Sequence, residues 1–556
     1  MMETLTTVFN CLIPFQKEAE LHAIYQFLSI SYDQNRFEPF IIEKELACQI
    51  EDPKTVLPPR LMDTNFDIKL LSNSRKLCDL LPQNWAVISI DTHNTKDFLT
   101  LTKYLAGGSS PIMVNIPLTK ADNGSRNMFS VKFAIHEFED IIQKSDATTS
   151  YRVTSSIKTK QDRVAWWTAR RCLDNDLENL LMRIETVWFG GLSSLFGDFI
   201  FDVKILKAFK SSFVSIIADN VTKAGSEHTV IEKLRSIGPE LFSLFLQLAM
   251  NPSDNYMEDL LFYFLDAITG LGREFDYRRL DMDSLYTDII ALCNKTINDI
   301  DCESLRHIEH TVLVLSDGCV KLPWESIPSL REKSVSRMPS ITQLVEYLKN
   351  FGTLISEGVN ADNSYYILNP GGDLVKTESR FKEKFEVMSG WSGITGKRPS
   401  EETILNALSK KELYFYAGHG GGEQYIRSKS IQKFEKLPPC LLLGCSSGSL
   451  HVSGVCHSYG TVYNYIIGKS PMILANLWDV TDKDIDRFTL NTLEKWGLFV
   501  DYDSIDIVDS LDNFENDNNH TLCECVAKSR NSCKLKYLNG AAPVVYGLRI
   551  KLKLNS

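Results

Sequence analysis

The sequence lacks an excess of basic residues, a long apolar run and a spaced set of metal ligands. Its 60 Lys and Arg against 71 Asp and Glu leave a net charge of −11, which argues against a basic face that holds nucleic acid through its phosphates. No apolar run is long enough to span a bilayer, and the opening MMETLTTVFNCLIPFQKEAE has no basic leader before its short apolar stretch. The expectation is an intracellular chain with no membrane and no direct nucleic-acid contact. The thirteen cysteines are scattered and odd in number, which suits free thiols in a reducing compartment. Cys523 and Cys525 form a C-x-C with no second Cys or His pair at a ligand spacing. No metal and no organic cofactor is expected. A phosphatase loop fails as well, because C-x5-R from Cys445 needs arginine where His451 stands.

What is present is a globular composition, 44% apolar and 24% charged, over 556 residues, enough for two or three domains. WAVISID (85–91) and PIMVNIPL (111–118) read as strands, and KDFLTLTKYL between them has helical spacing. The Ser/Thr-rich stretch 143–162 reads as a linker. In the following 166–188 segment, Leu173, Leu177, Leu180, Leu181 and Ile184 make an apolar stripe on one helix. Helical patterns continue to about residue 300, including 240–250 and 257–268.

From residue 305 the texture changes. HTVLVLSDG (310–318), SYYILNPGGD (364–373), KELYFYAGHGGG (411–422), PCLLLGCSSG (439–448) and SPMILANLWD (470–479) are short apolar runs, each ending in Gly, Asp or Asn. Such runs alternating with helix-compatible stretches indicate a parallel sheet buried on both faces. Ligands and reactive groups gather at the carboxyl ends of its strands, where His419 and Cys445 both fall. An acidic, Asn-rich segment at 501–520 reads as a disordered loop, and 542–550 as a last strand.

Gly444-Cys445-Ser446-Ser447-Gly448 admits three readings. With Ser446 as nucleophile it is G-x-S-x-G, and His419-Gly420-Gly421-Gly422 would be an esterase oxyanion loop. Only 21 residues separate Gly422 from Gly444, room for one crossover but not for the further strands that an esterase places there. With Cys445 as nucleophile, one crossover brings strands 411–417 and 439–444 together and His419 within reach of the thiol. A helix starting after Gly448 would then depress the thiol pKa, with Ser446 and Ser447 capping it. The N–H groups of Gly420 and Cys445 could hold an oxyanion. The third reading, an inert core thiol in a glycine-rich turn, stays open on the residues alone.

The runs LYFYAGHGGGEQYI, LLLGCSSGSL and LWDVTDKDIDRFT (477–489) resemble the protease domain of separase, a caspase-like cysteine endopeptidase family. LPWESIPSL (322–330), SVSRMPS (334–340), YYILNPGGDL (365–374), WSGITGKRPSEE (391–402), APVVYG (542–547) and WWTARRCLDNDLENLL agree with it. The resemblance implies an α/β fold: a caspase-like parallel-sheet catalytic domain over 305–556, preceded by a degenerate α/β pseudo-protease region over 1–145 and a helical insertion over 160–300. It implies a His419–Cys445 dyad that cleaves after arginine at Glu-x-x-Arg sites in the cohesin kleisin subunit, releasing sister chromatids at anaphase. Cytoplasm and nucleus, on the spindle or chromosomes, would be its location, and a securin-type pseudosubstrate its inhibitor. The arginine needs a carboxylate partner. Asp486 is the first choice and Asp479 the second. Thr481 is read as a helix cap, with Asp482 and Asp484 favouring the helix dipole. Most separases carry a long helical-repeat arm before this region, while hardly sixty residues precede it here. Either a separate helical-arm subunit supplies it or this form works without one. The alternatives are a catalytically silent scaffold that binds securin or cohesin, and a caspase-like protease of other specificity.

Overall fold

A computed structural model of the chain describes residues 78, 80–92, 98–107, 111–118, 129–223, 228–251, 256–269, 280–301, 305–451, 458–499 and 520–553. The acidic stretch read as a loop, 501–519, lies outside them. Two compact units are formed. One holds the described residues up to Ser130 together with Arg183–Thr311; the other holds Val131–Met182 and those from Val312 onward.

In the first unit, β1 (Trp85–Thr92), β2 (Phe98–Leu105) and β3 (Ile112–Pro117) form an antiparallel meander. This corrects the helix expected over KDFLTLTKYL. Leu99, Leu101 and Lys103 alternate along one face and are buried, but Thr102 and Tyr104 on the other face are buried as well. A strand covered on both faces loses its period of two. Helices Val203–Lys223, His228–Ser236, Ser243–Met250, Tyr256–Thr269 and Met282–Asn298 belong to the same unit. Phe213 is their hub, with Phe242, Phe245 and Phe264 at ring separations of 4.9–5.7 Å.

The second unit begins with α1 (Val131–Thr149) and α2 (Lys160–Arg183). Between them Tyr151–Ser156 is also helical, so the linker expected at 143–162 is mostly helix. The reason is local. Thr148, Thr149 and Ser150 donate their hydroxyls back to the carbonyls of Ser145, Asp146 and Ala147, at 2.6, 3.0 and 2.7 Å. These bonds tie the hydroxyls to the backbone around the helix end. The predicted stripe Leu173, Leu177, Leu180, Leu181 and Ile184 is buried throughout. Both helices belong to the later part of the chain, not to what precedes them. Phe138 packs edge-on against Trp478, and Asp174 accepts from the N–H groups of Tyr537 and Leu538 at 2.9 and 2.6 Å.

The sheet of this unit is built from β4 (His310–Leu315), β5 (Val335–Met338), β6 (Ser364–Leu368), β7 (Trp391–Thr395), β8 (Leu413–Ala417), β9 (Cys440–Leu442), β10 (Met472–Asn476) and β11 (Pro543–Gly547). The spatial order is β4-β5-β11-β10-β9-β8-β6-β7. The pairs β6–β7, β6–β8, β8–β9 and β9–β10 are parallel, while β10–β11 is antiparallel. The helices around it are α3 (Ile341–Glu357), α4 (Val375–Glu386), α5 (Glu401–Lys410), α6 (Thr461–Ile467), α7 (Asp482–Lys495) and α8 (Leu522–Ser529). Strands β4, β8, β9, β10 and β11 are buried along their whole length, so the mixed α/β reading with a mainly parallel sheet holds. Cys523 and Cys525 are free thiols buried in α8.

Candidate active site

Strands β8 and β9 pair directly, Tyr414 with Cys440 through Tyr416 with Leu442. Their carboxyl ends therefore lie side by side, and the loops that leave them touch. A Cβ on Gly444 would sit 1.9 Å from the Gly420 carbonyl and 2.5 Å from that of Gly418. Only glycine allows this approach, and Gly420 adds a left-handed φ of +61° that glycine adopts without strain. The chain on both sides of His419 is thus pressed against the residue before Cys445.

The turn that carries Cys445 is fixed from β10. Asn476, fully buried, donates through Nδ2 to the Gly444 carbonyl at 3.0 Å and through its N–H to Ser447 Oγ at 3.1 Å. Ser447 in turn donates to the Leu442 carbonyl at 2.6 Å. Tyr546 of β11 reaches the Gly448 carbonyl at 3.1 Å. Ser446 has a left-handed φ of 52°, a cost of about 1–2 kcal/mol for a residue with a side chain. It is held there by its N–H on the Trp478 carbonyl at 3.3 Å and its hydroxyl on Asp479 at 2.6 Å.

No helix starts at Gly448. Residues 445–448 are a turn and 449–451 are not helical, so neither serine caps a helix there. The consequence is opposite to the expectation. Burial pushes the Cys445 thiol up to about 11, and the carboxylates of Asp479, Asp482 and Asp146 add to the rise. Its Sγ is turned to the Val480 carbonyl at 3.3 Å.

His419 is exposed on its loop, and its ring is oriented by a residue that the sequence reading did not single out. Nε2 lies 2.6 Å from Asp373 Oδ2. Asp373 ends the Asn-Pro-Gly-Gly-Asp loop after β6, which pairs with β8 from Ser364–Leu413 to Leu368–Ala417. Asn369 anchors the loop. Its N–H donates to the Ala417 carbonyl, its Oδ1 accepts from the Leu374 N–H, and its Nδ2 donates to Glu378, all at 2.8 Å. The hydrogen bond from His419 holds the Asp373 carboxyl below the usual aspartate range. No hydrogen bond joins the imidazole to the thiol among the described residues, yet both line one cleft. Among the same residues, the N–H groups of Gly420 and Cys445 donate to no protein group.

The far wall of that cleft is α7. Thr481 takes its N-cap position, but the hydroxyl accepts from Asn539 Nδ2 at 2.9 Å instead of capping. Asp484 is buried and structural, accepting from the Leu535 N–H at 3.1 Å and Asn539 Nδ2 at 3.0 Å. Asp482 and Asp486, one turn apart, both face the cleft. Asp486 is only 3% exposed, among Leu374, Phe381, Phe415, Ile485 and Thr489. Burial pushes its carboxyl up to about 6, against the opposing pull of Arg380 and Thr377. Asp479, the second choice, does not line the cleft; it is exposed and holds Ser446.

A family profile described as "Separin, protease domain" matches residues 94–485. The chain is similar to Separin of Saccharomyces cerevisiae, 36% identical over 512 residues, covering 89% of this chain and 30% of that protein. It is similar to Separin of Schizosaccharomyces pombe, 36% identical over 477 residues, covering 84% and 25%. Separin of Mus musculus is 30% identical over 486 residues, covering 84% and 19%. The chain therefore spans about a third or less of the length of these relatives. Among solved structures, it resembles the Saccharomyces cerevisiae separase–securin complex at 2.6 Å resolution, with a TM-score of 0.75, 34% identity and coverage of 88% of this chain and 31% of that one. The same complex at 3.0 Å gives 0.78, 32%, 95% and 34%.

Proposed function

The chain belongs to the separin family through its protease domain, and from that premise we propose that it is a cysteine endopeptidase in which Cys445 attacks and His419 moves the proton. The observation that carries this reading is a single cleft at the carboxyl edge of a parallel sheet that contains a thiol, an imidazole and a buried carboxylate. A carboxylate walled by apolar side chains suits a planar guanidinium, which it can accept in a bidentate manner. Asp486 is therefore the partner of an arginine on the acyl side of the scissile bond.

The chemistry uses groups already in place. Asp373 accepts from the Nε2–H of His419, which leaves Nδ1 to take the thiol proton. Sγ turns away from the Val480 carbonyl and bonds to the substrate carbonyl carbon. The oxyanion meets the N–H groups of Gly420 and Cys445. The peptide C–N bond then breaks, the imidazolium gives its proton to the leaving amine, and a thioester remains. Water, deprotonated by the same imidazole, attacks the thioester carbon, and the restored thiol releases the acid.

The substrate in this proposal is the kleisin subunit of cohesin, cut after arginine in Glu-x-x-Arg sites at anaphase, in nucleus and cytoplasm. The inhibitor is a securin-type pseudosubstrate, a reading supported by the solved relative, whose complex contains securin. The test is cleavage of a Glu-x-x-Arg kleisin peptide by the wild-type chain and by Cys445→Ser and His419→Ala. Wild type cuts after arginine and the two variants bind the peptide without turnover. Equal turnover by Cys445→Ser would remove the thiol from the reaction.

A further inference from the structure

The carboxylate assigned to the substrate's arginine already has an arginine on it. Arg380 of α4 forms an ion pair with Asp486 Oδ2, and Thr377, three residues earlier on the same helix, donates its hydroxyl to both oxygens at 3.1 Å. No second carboxylate pairs with Arg380 among the described residues. The space beside the pair, towards Cys445, is a cavity of about 30 Å³. That admits about two waters. Arg380 is one third exposed where Asp486 is 3% exposed. The cation can therefore swing into solvent without carrying a buried charge with it, whereas the carboxylate it leaves behind cannot stay buried and unpaired at low cost.

We propose that Arg380 is the resident guanidinium of this specificity pocket, occupying Asp486 in the free protein and giving way only to a substrate guanidinium that replaces it. The proposal rests on the reading of Asp486 as the arginine partner. Binding is then an exchange of one guanidinium for another and not the filling of an empty site. A neutral side chain has no charge to offer in return, so its entry strands the carboxylate. Lysine brings the charge but not the planar fork, so its exchange is the poorer one. Arg380 thus lowers the affinity for every ligand and penalises uncharged ligands most, and its role is in specificity.

The measurement uses agmatine, a free alkylguanidine, as competitor, and paired peptides with arginine or citrulline before the scissile bond. An occupant present nine-tenths of the time weakens apparent affinity by about tenfold. In Arg380→Gln, the inhibition constant of agmatine should fall by about that factor and the KM of the arginine peptide should fall with it. The arginine-to-citrulline ratio of kcat/KM should narrow. Assays at pH 8 and 9 keep protonation of Asp486 from masking the gain. Should Arg380→Gln fail to fold, Arg380→Lys carries the same test with a smaller fall in the inhibition constant. Unchanged or weaker agmatine binding in a folded variant, with wild type still selective for arginine, overturns the role of Arg380 and leaves that of Asp486 intact. If Asp486→Asn does not weaken agmatine binding to wild type, the underlying assignment fails instead.

Discussion

His419 Nε2 lies 2.6 Å from Asp373 Oδ2, across 46 residues of sequence. The pairing of β6 with β8 brings them together, and Asn369 locks the intervening loop. Asp373 is bonded to the imidazole and not to the thiol, so in the proposed mechanism it is a positioning residue. Asp373→Asn should lower kcat by about 10–100-fold through a ring that samples wrong orientations, with KM nearly unchanged. Asp373→Glu should recover part of the loss. A fall in KM-dependent binding with kcat intact would assign Asp373 to substrate contact instead.

The thiol is in a resting state. With Cys445 pushed up to about 11 by burial, the neutral SH form dominates near pH 7 and nucleophilic thiolate accumulates only in alkali. Iodoacetamide alkylation of Cys445 should accelerate about tenfold per pH unit from 7 to 10 in the absence of substrate, read by peptide mass spectrometry. A plateau beginning below pH 7 would mean a preformed thiolate–imidazolium pair and would contradict the raised thiol.

Asp486 gives a pH dependence of the opposite sense. Its carboxyl is raised to about 6, chiefly by burial, so it loses the charge proposed to bind arginine as pH falls through that value. KM for an arginine peptide should be flat above pH 7 and rise by up to about tenfold per unit below 6. Because the raised group holds its proton more tightly folded than unfolded, its contribution to stability increases as pH falls through about 6. Asp486→Asn should remove both trends. A KM that stays level from pH 7.5 to 5 would separate this carboxylate from substrate binding.

Two of the sequence segments that carry the family resemblance meet as an ion pair far from solvent. Arg337 donates from Nε and an Nη to Glu325 at 2.6 and 2.8 Å, and to the carbonyls of Val320 and Leu322 at 2.7 and 2.8 Å. Both side chains are at most 3% exposed. Removing one partner strands the other, at about 3–5 kcal/mol. Arg337→Ala should therefore lower the midpoint of urea unfolding strongly, whereas a well-packed Arg337→Met, Glu325→Met double change should cost much less. Equal losses in the two proteins would mean that packing, and not the stranded charge, dominates.

The strands and the Gly-Cys-Ser-Ser-Gly turn were legible because continuous apolar runs ending in glycine have few other structural solutions. The short crossover between 411–417 and 439–444 was enough to bring β8 and β9 together, with no knowledge of distant contacts. What escaped were mostly features decided elsewhere in the chain. Leu99 and Leu101 alternate, but burial of Thr102 and Tyr104 hid the strand period. The Ser/Thr-rich helix end looked like a linker because its hydroxyl-to-carbonyl bonds cannot be read from composition. Asp373 and Arg380 have no local signal at all. They reach His419 and Asp486 only through sheet pairing and helix packing. The helix expected after Gly448 failed because Ser447 is engaged by Leu442 and Asn476.

The most direct test of the account is covalent labelling with a peptidyl-arginyl chloromethylketone, followed by peptide mapping. The thiol, the imidazole and the Asp486 pocket must all cooperate for the adduct to form. The account predicts one adduct, on Cys445, absent in Cys445→Ser and much slower in Asp486→Asn and His419→Ala. An active preparation that cuts the kleisin peptide yet carries no adduct on Cys445, or labels equally well without Asp486, would contradict it.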